Sequence, residues 1–188
     1  MLANQYLPLL EIEARNDNRV AARALGRIYD RGLFVKPDIS KAFKWFALAS
    51  ANGDAIAMHD LALLGLENKT KLIKFHTALN TLKESAKLGY PAAMTALGRL
   101  YLKNTKIRNI KKAINYLEDG SRAGHAGSMS ELAKLYFEGK FVPQNIETAK
   151  DFALKGTAQK HLGSRKVLLK IEALEKELAK NNTKTGKV

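Results

Sequence analysis

Four stretches of this chain repeat one another. Arg19 to Tyr29 (RVAARALGRIY), Ala55 to Gly65 (AIAMHDLALLG), Pro91 to Tyr101 (PAAMTALGRLY) and Ala126 to Tyr136 (AGSMSELAKLY) align on common offsets. A small residue falls at Gly26, Ala62, Gly98 and Ala133, and a second at Ala42, Ala78, Ala113 and Ala149, always 35 or 36 residues apart. A third marker falls at Gly53, Gly89 and Gly124, with Lys160 in the fourth place. Markers that keep step at this period imply one supersecondary unit used four times, stacked neighbour on neighbour.

Within each period, apolar residues recur at three- and four-residue intervals in two stretches, the pattern of two amphipathic helices. In the first unit Ala21, Ala24, Leu25 and Ile28 form one stripe. Gly32-Leu-Phe-Val-Lys-Pro37 interrupts it, and Ala42, Trp45, Phe46 and Ala49 resume it. Asp38 is placed to cap the second helix, and Gly53, Gly89 and Gly124 suit left-handed C-caps. Leu25, Leu61, Leu97 and Leu132 read as core, and Tyr29, Tyr101, Tyr136, Trp45, Tyr116 and Phe152 as aromatic packing. The predicted organisation is an N-terminal capping helix in 1–17, repeats at 18–53, 54–89, 90–124 and 125–160, a C-terminal capping helix in 161–180 and a disordered basic tail over 181–188. In the last capping helix Val167, Leu168, Ile171, Leu174 and Leu178 are expected to face inward.

The motif A-x-x-x-LG-x-x-Y, a glycine loop, V-x-x-(D/N) and then KA-x-x-W(F)-x-x-A-x-x-x-G is nearly complete between Ala21 and Gly53. It resembles the Sel1-like repeats, relatives of the tetratricopeptide repeats, over roughly Asn18 to Lys160. Repeat two departs most, with Gly65 in place of tyrosine and Glu67-Asn-Lys-Thr-Lys71 in place of the glycine-valine loop. The resemblance implies an all-α solenoid of about four helical hairpins. It also implies adaptor, regulatory, secretion-associated or toxin-neutralising roles in bacteria. A cysteine-rich subset of the family is associated with β-lactam hydrolysis, but this chain has neither cysteine nor an S-x-x-K motif.

No catalytic constellation emerges from the residues. The absence of cysteine removes disulfides, thiolate metal sites and a cysteine nucleophile. His59, His76, His125 and His161 form no local ligand pair, and no G-x-S-x-G elbow or P-loop is present; Thr185-Gly186-Lys187 lacks the first glycine. No cofactor, metal or catalytic residue is therefore expected. No stretch reaches the roughly 18 apolar residues of a membrane span. Met1 to Glu13 lacks the features of a secretory signal, so the expected location is the cytoplasm, a trimmed signal instead implying the periplasm.

The chain carries 32 basic and 18 acidic residues, a net charge of +14. Such an excess favours acidic partners or nucleic acid. By the register that the resemblance implies, the first helix of each hairpin lines a concave groove. Candidate partner-binding residues there are Arg23, Arg27, Arg31, His59, Leu63, Leu66, Thr95, Arg99, Leu102, Lys103, Lys134 and Phe137. Arginine forks bind carboxylates bidentately, which makes Arg23, Arg27 and Arg99 the expected anchors for an acidic peptide or protein. Nucleic acid is the alternative, drawn by the run Lys103 to Lys112, which contains no acidic residue. Against it, the basic segments lack interleaved aromatics for base stacking.

Overall fold

The computed structural model describes residues 3–67 and 70–185. Ten helices and no strand occur among them: α1 (Ala3–Arg15), α2 (Arg19–Arg31), α3 (Ile39–Ala51), α4 (Ala55–Leu66), α5 (Phe75–Lys87), α6 (Pro91–Lys103), α7 (Ile110–Arg122), α8 (Ala126–Glu138), α9 (Ile146–Ala158) and α10 (Leu162–Thr185). They form two compact units, Met1–Ala93 and Met94–Val188, with α6 beginning in the first and running mostly in the second. The fold is all-helical and built from hairpins, as the repeat requires.

In the first unit, α1 packs on α2, α2 on α3, α3 on α4 and α4 on α5. Ala21, Ala22, Leu25, Gly26 and Tyr29 form the buried face of α2 and meet Ala42, Phe46 and Ala49 of α3 in one continuous core with Ala57, Leu61 and Leu64. The small residues act by letting partners in. A β-carbon added at Gly26 would overlap the Phe46 ring, so the glycine is the seat of that ring. In the second unit, Leu117 occupies the corresponding place against Gly98, and Ala133, Ala149, Ala153, Val167, Leu168 and Ile171 form a core between α8, α9 and α10. The expected aromatic packing is present: Tyr101 stacks on Tyr116 at 5.9 Å and Tyr136 on Phe152 at 6.3 Å.

Side-chain caps set where the helices begin. Asp38, Asn109 and Asn145, equivalent in the repeat, each accept the backbone N–H three residues on at 2.9 Å and so start α3, α7 and α9. The equivalent residue before α5 is Lys74, which makes no capping bond. Replacing Lys74 with asparagine should supply the missing acceptor and stabilise the protein by about 1 kcal/mol, seen as a rise of about 2–4 °C in the thermal midpoint. The helices end as anticipated, with φ of +75°, +86° and +80° at Gly53, Gly89 and Gly124 and +59° at Lys160.

Pro8 lies inside α1. Two features differ from expectation. Helix α10 continues through Asn181 to Thr185, where a disordered tail was expected, because nothing in Lys-Asn-Asn-Thr-Lys-Thr interrupts a helix before Gly186; residues 186–188 lie outside those described. Leu178, expected to face inward, is exposed. The cause is length, since α10 has 24 residues against 13 in α9 and outruns the hairpin beneath it. Asn68 and Lys69 of the divergent repeat-two loop also lie outside the described residues.

Candidate functional site

The three arginines expected to anchor an acidic partner are already engaged. Arg23 of α2 binds Asp54, the residue that caps α4 by accepting the Ala57 N–H at 2.9 Å. Arg27, one turn further along α2, donates from Nε to Asp60 of α4 at 2.7 Å. In the second unit Arg99 of α6 donates to Glu131 of α8 at 2.7 Å. Each pair joins the first helix of one hairpin to the first helix of the next. Arg27 and Arg99 stand one residue after the small marker, and Asp60 and Glu131 two residues before the marker of the following repeat. Each arginine thus braces one hairpin against the next.

Asp60 has a second partner, His59, whose Nδ1 lies 2.9 Å from its other oxygen and whose ring stands edge-on to Tyr90 at 5.3 Å. Burial alone would push the Asp60 carboxyl upward. The hydrogen bonds from His59 and Arg27, with the Arg27 charge, outweigh burial and hold its pKa below the usual carboxylate value. Burial likewise works against the Arg27 charge, and the bond to Asp60 overcomes it and raises the guanidinium. A carboxyl whose folded pKa is depressed contributes stability above its unfolded value of about 3.9, lost as pH falls through the folded value. Accordingly, the urea-midpoint gap between wild type and Asp60→Asn should be open at neutral pH and close as the pH is lowered below about 4.

Of the other candidates, Thr95 is 2% exposed, and its hydroxyl shares hydrogen bonds with His125 and Ser128. Leu102 is buried as well, and Phe137 is half-buried against the core of α8 to α10. Thr95 and Leu102 are corrected from open groove positions to packing residues, because Ser128 and Leu135 of α8 meet them, and Phe137, on α8 itself, is partly covered by the core it shares with α9 and α10. Leu66 is half-buried.

Two clefts remain. In the first unit a cleft of about 540 Å³ brings together Arg27, Arg31, His59 and Leu63, with Phe46 and Leu64 beneath and the carboxylates Asp30, Asp60 and Glu67 alongside. It is mixed in charge rather than basic. In the second unit a cleft of about 320 Å³ gathers Leu102, Lys103 and Lys134 with residues that sequence reasoning missed: Arg108, Lys140 and Phe141. Lys140 and Phe141 lie in the turn after Gly139, where no motif drew attention to them. Arg108 was visible only as part of a basic run. Among the described residues no group of three His, Asp or Glu side chains could hold a metal ion, and no helix is long and apolar enough to cross a membrane.

Comparison with known proteins agrees with this architecture. The Sel1 repeat family profile matches residues 19–54, 91–125 and 126–161. It passes over the second hairpin, where Gly65 and Lys74 depart from the motif in sequence. The sel1-like repeat-containing protein L21 of Acanthamoeba polyphaga mimivirus is 30% identical over 96 residues, covering 51% of this chain and 17% of that protein. A Sel1 repeat protein from Oxalobacter formigenes has a similar crystal structure, with a TM-score of 0.76 at 21% identity, covering 85% of this chain and 65% of its own. The immunity protein Pa5087 of Pseudomonas aeruginosa gives a TM-score of 0.62 at 22% identity, over 85% of this chain and 60% of its own. The present chain thus spans less than two thirds of the length of each of these proteins. These structures share its all-α solenoid class, and the matched repeats cover more than half of its residues: the chain belongs to the Sel1 repeat family.

Proposed function

We propose that this protein is a non-enzymatic recognition module that holds an acidic protein or peptide against the inner helices of its hairpins. Sel1 repeat proteins are protein-interaction modules. The observation that carries recognition is the 540 Å³ cleft of mixed charge, where Arg31 and Leu63 offer a charge and an apolar contact beside His59 on a packed floor of Phe46 and Leu64; the acidic preference rests on the net charge of +14. Preorganisation supplies the mechanism. Helices already locked by core leucines and by the pairs Arg23–Asp54 and Arg27–Asp60 lose little further entropy on binding, so modest contacts yield useful affinity. The fold shared with an immunity protein supports neutralisation of a secreted effector as the form this binding takes.

Arg31 and Leu63 are the residues to alter, since reversing Arg27 would break its bond to Asp60 and confuse binding with folding. Affinity capture from nuclease-treated native lysate, followed by titration with the purified partner, is expected to yield a discrete protein. Its affinity should fall about tenfold or more in Arg31→Glu/Leu63→Glu. Capture abolished by nuclease would replace this reading with nucleic-acid binding, and unchanged affinity of the double variant would place recognition on another face.

A further inference from the structure

The chain's positive charge is unevenly held. Residues 94–188 carry 19 basic against 9 acidic side chains, which places +10 of the net +14 in the second unit. Most of that unit's described acids are spent on local partners: Glu131 on Arg99, Glu138 on Lys134, Asp119 on Arg122, Asp151 on Lys155 and Glu175 on Lys150. By contrast Lys103, Lys106, Arg108, Lys111, Lys112 and Lys140 form no ion pair among the described residues. All six lie at the end of α6, in the turn from α6 to α7, in the first turn of α7 or in the turn from α8 to α9.

Stability does not account for this clustering. Lys111 and Lys112 occupy the first turn of α7, which has no acidic residue, and cations there oppose the helix dipole. Arg108 and Lys140 are held 5.7 and 5.4 Å from the centre of the Phe141 ring, which fixes two cations at the rim of the 320 Å³ cleft. The cleft floor is Leu102 and Leu135. The two carboxylates beside it, Glu131 and Glu138, are both neutralised by the pairs above.

We infer that this cleft is the docking site for an acidic peptide segment carrying an apolar side chain among its carboxylates, the apolar group seated against the edge of the Phe141 ring and the narrow exposed margins of Leu102 and Leu135, and the carboxylates met by Lys103, Arg108 and Lys140. Charge complementarity commits the site to an acidic ligand, and this apolar seat to a peptide rather than a polyphosphate. Nucleic acid is disfavoured because bases stack on open rings, and Phe141 is already engaged by its two cations. The inference rests on the protein-recognition reading above and names where its acidic preference resides.

A short fluorescein-labelled peptide of glutamates with one central leucine, titrated by fluorescence anisotropy against the full chain, tests it. Arg108→Glu/Lys140→Glu should weaken binding about tenfold or more, with helical circular dichroism unchanged. Lys166→Glu/Lys170→Glu, the same charge change on the exposed face of α10, should change it by less than about threefold, as expected of charges outside the contact. Replacing the central leucine of the peptide with serine should also weaken binding. Equal losses in the two double variants would overturn the site in favour of bulk charge. Loss confined to Leu63→Glu would overturn it while leaving recognition by the first unit standing. Absence of binding in every form would overturn both the site and the acidic preference, and tighter binding of a charge-matched oligonucleotide through Arg108 and Lys140 would reassign the site to nucleic acid.

Discussion

Phe46→Ala is expected to destabilise the first unit by about 3–5 kcal/mol, the largest single effect the structure implies. The ring is 1% exposed, sits at the centre of the α2, α3 and α4 core and fills the space left open by Gly26. Truncation removes its burial and leaves a void between two helices that other side chains hold apart. The same contact predicts a coupling. Gly26→Ala alone should cost about 1–3 kcal/mol by forcing a β-carbon into the ring, whereas in the Phe46→Ala background a larger residue at position 26 finds vacant space and should restore stability. Urea unfolding followed by circular dichroism measures each corner of this cycle. Additive losses would mean that the two positions do not share that space.

Asp54→Ala should cost about 2–4 kcal/mol through two losses at once. Asp54 is 4% exposed, caps α4 through the Ala57 N–H and receives the Arg23 guanidinium, whose side chain is 20% exposed. Without the carboxylate, α4 loses its N-cap and a largely desolvated cation loses its counter-ion. Asp54→Asn separates the two, because the amide oxygen can still cap while the charge is gone. It is expected to fall between wild type and alanine, closer to wild type by about the 1 kcal/mol of a cap. Equal midpoints for asparagine and alanine would show that the cap contributes nothing and that the charge pair accounts for the whole loss.

The repeat was legible because packing acts on it directly. A position that must admit a neighbouring ring or leucine accepts only glycine or alanine, so Gly26 and Gly98 stand out from sequence alone, and a left-handed turn marks Gly53, Gly89 and Gly124 in the same way. The candidate site was less legible, since exposure depends on the neighbouring hairpin. Thr95 and Leu102 look open on α6 alone and are closed by α8. The charges on Arg27 and Arg99 look available until Asp60 and Glu131 are aligned in the next repeat. That signal was present: an arginine one place after a marker is followed, 33 or 32 residues on, by an acid two places before the next marker. Leu63 and Ala96 hold the same two places, and neither is charged. The position of Lys140 against Phe141 and Arg108 had no such signature, because it arises from two turns meeting in space.

Recognition through the inner helices is tested most directly by site-specific photocrosslinking in the producing cell. A benzophenone side chain is placed at Leu63 in the first-unit cleft and, separately, at Lys44 on the exposed side of α3. A discrete, nuclease-resistant protein adduct from position 63, absent from position 44 and lost when Arg31→Glu is added, is the predicted result. An adduct formed from position 44 and not from position 63 would contradict it.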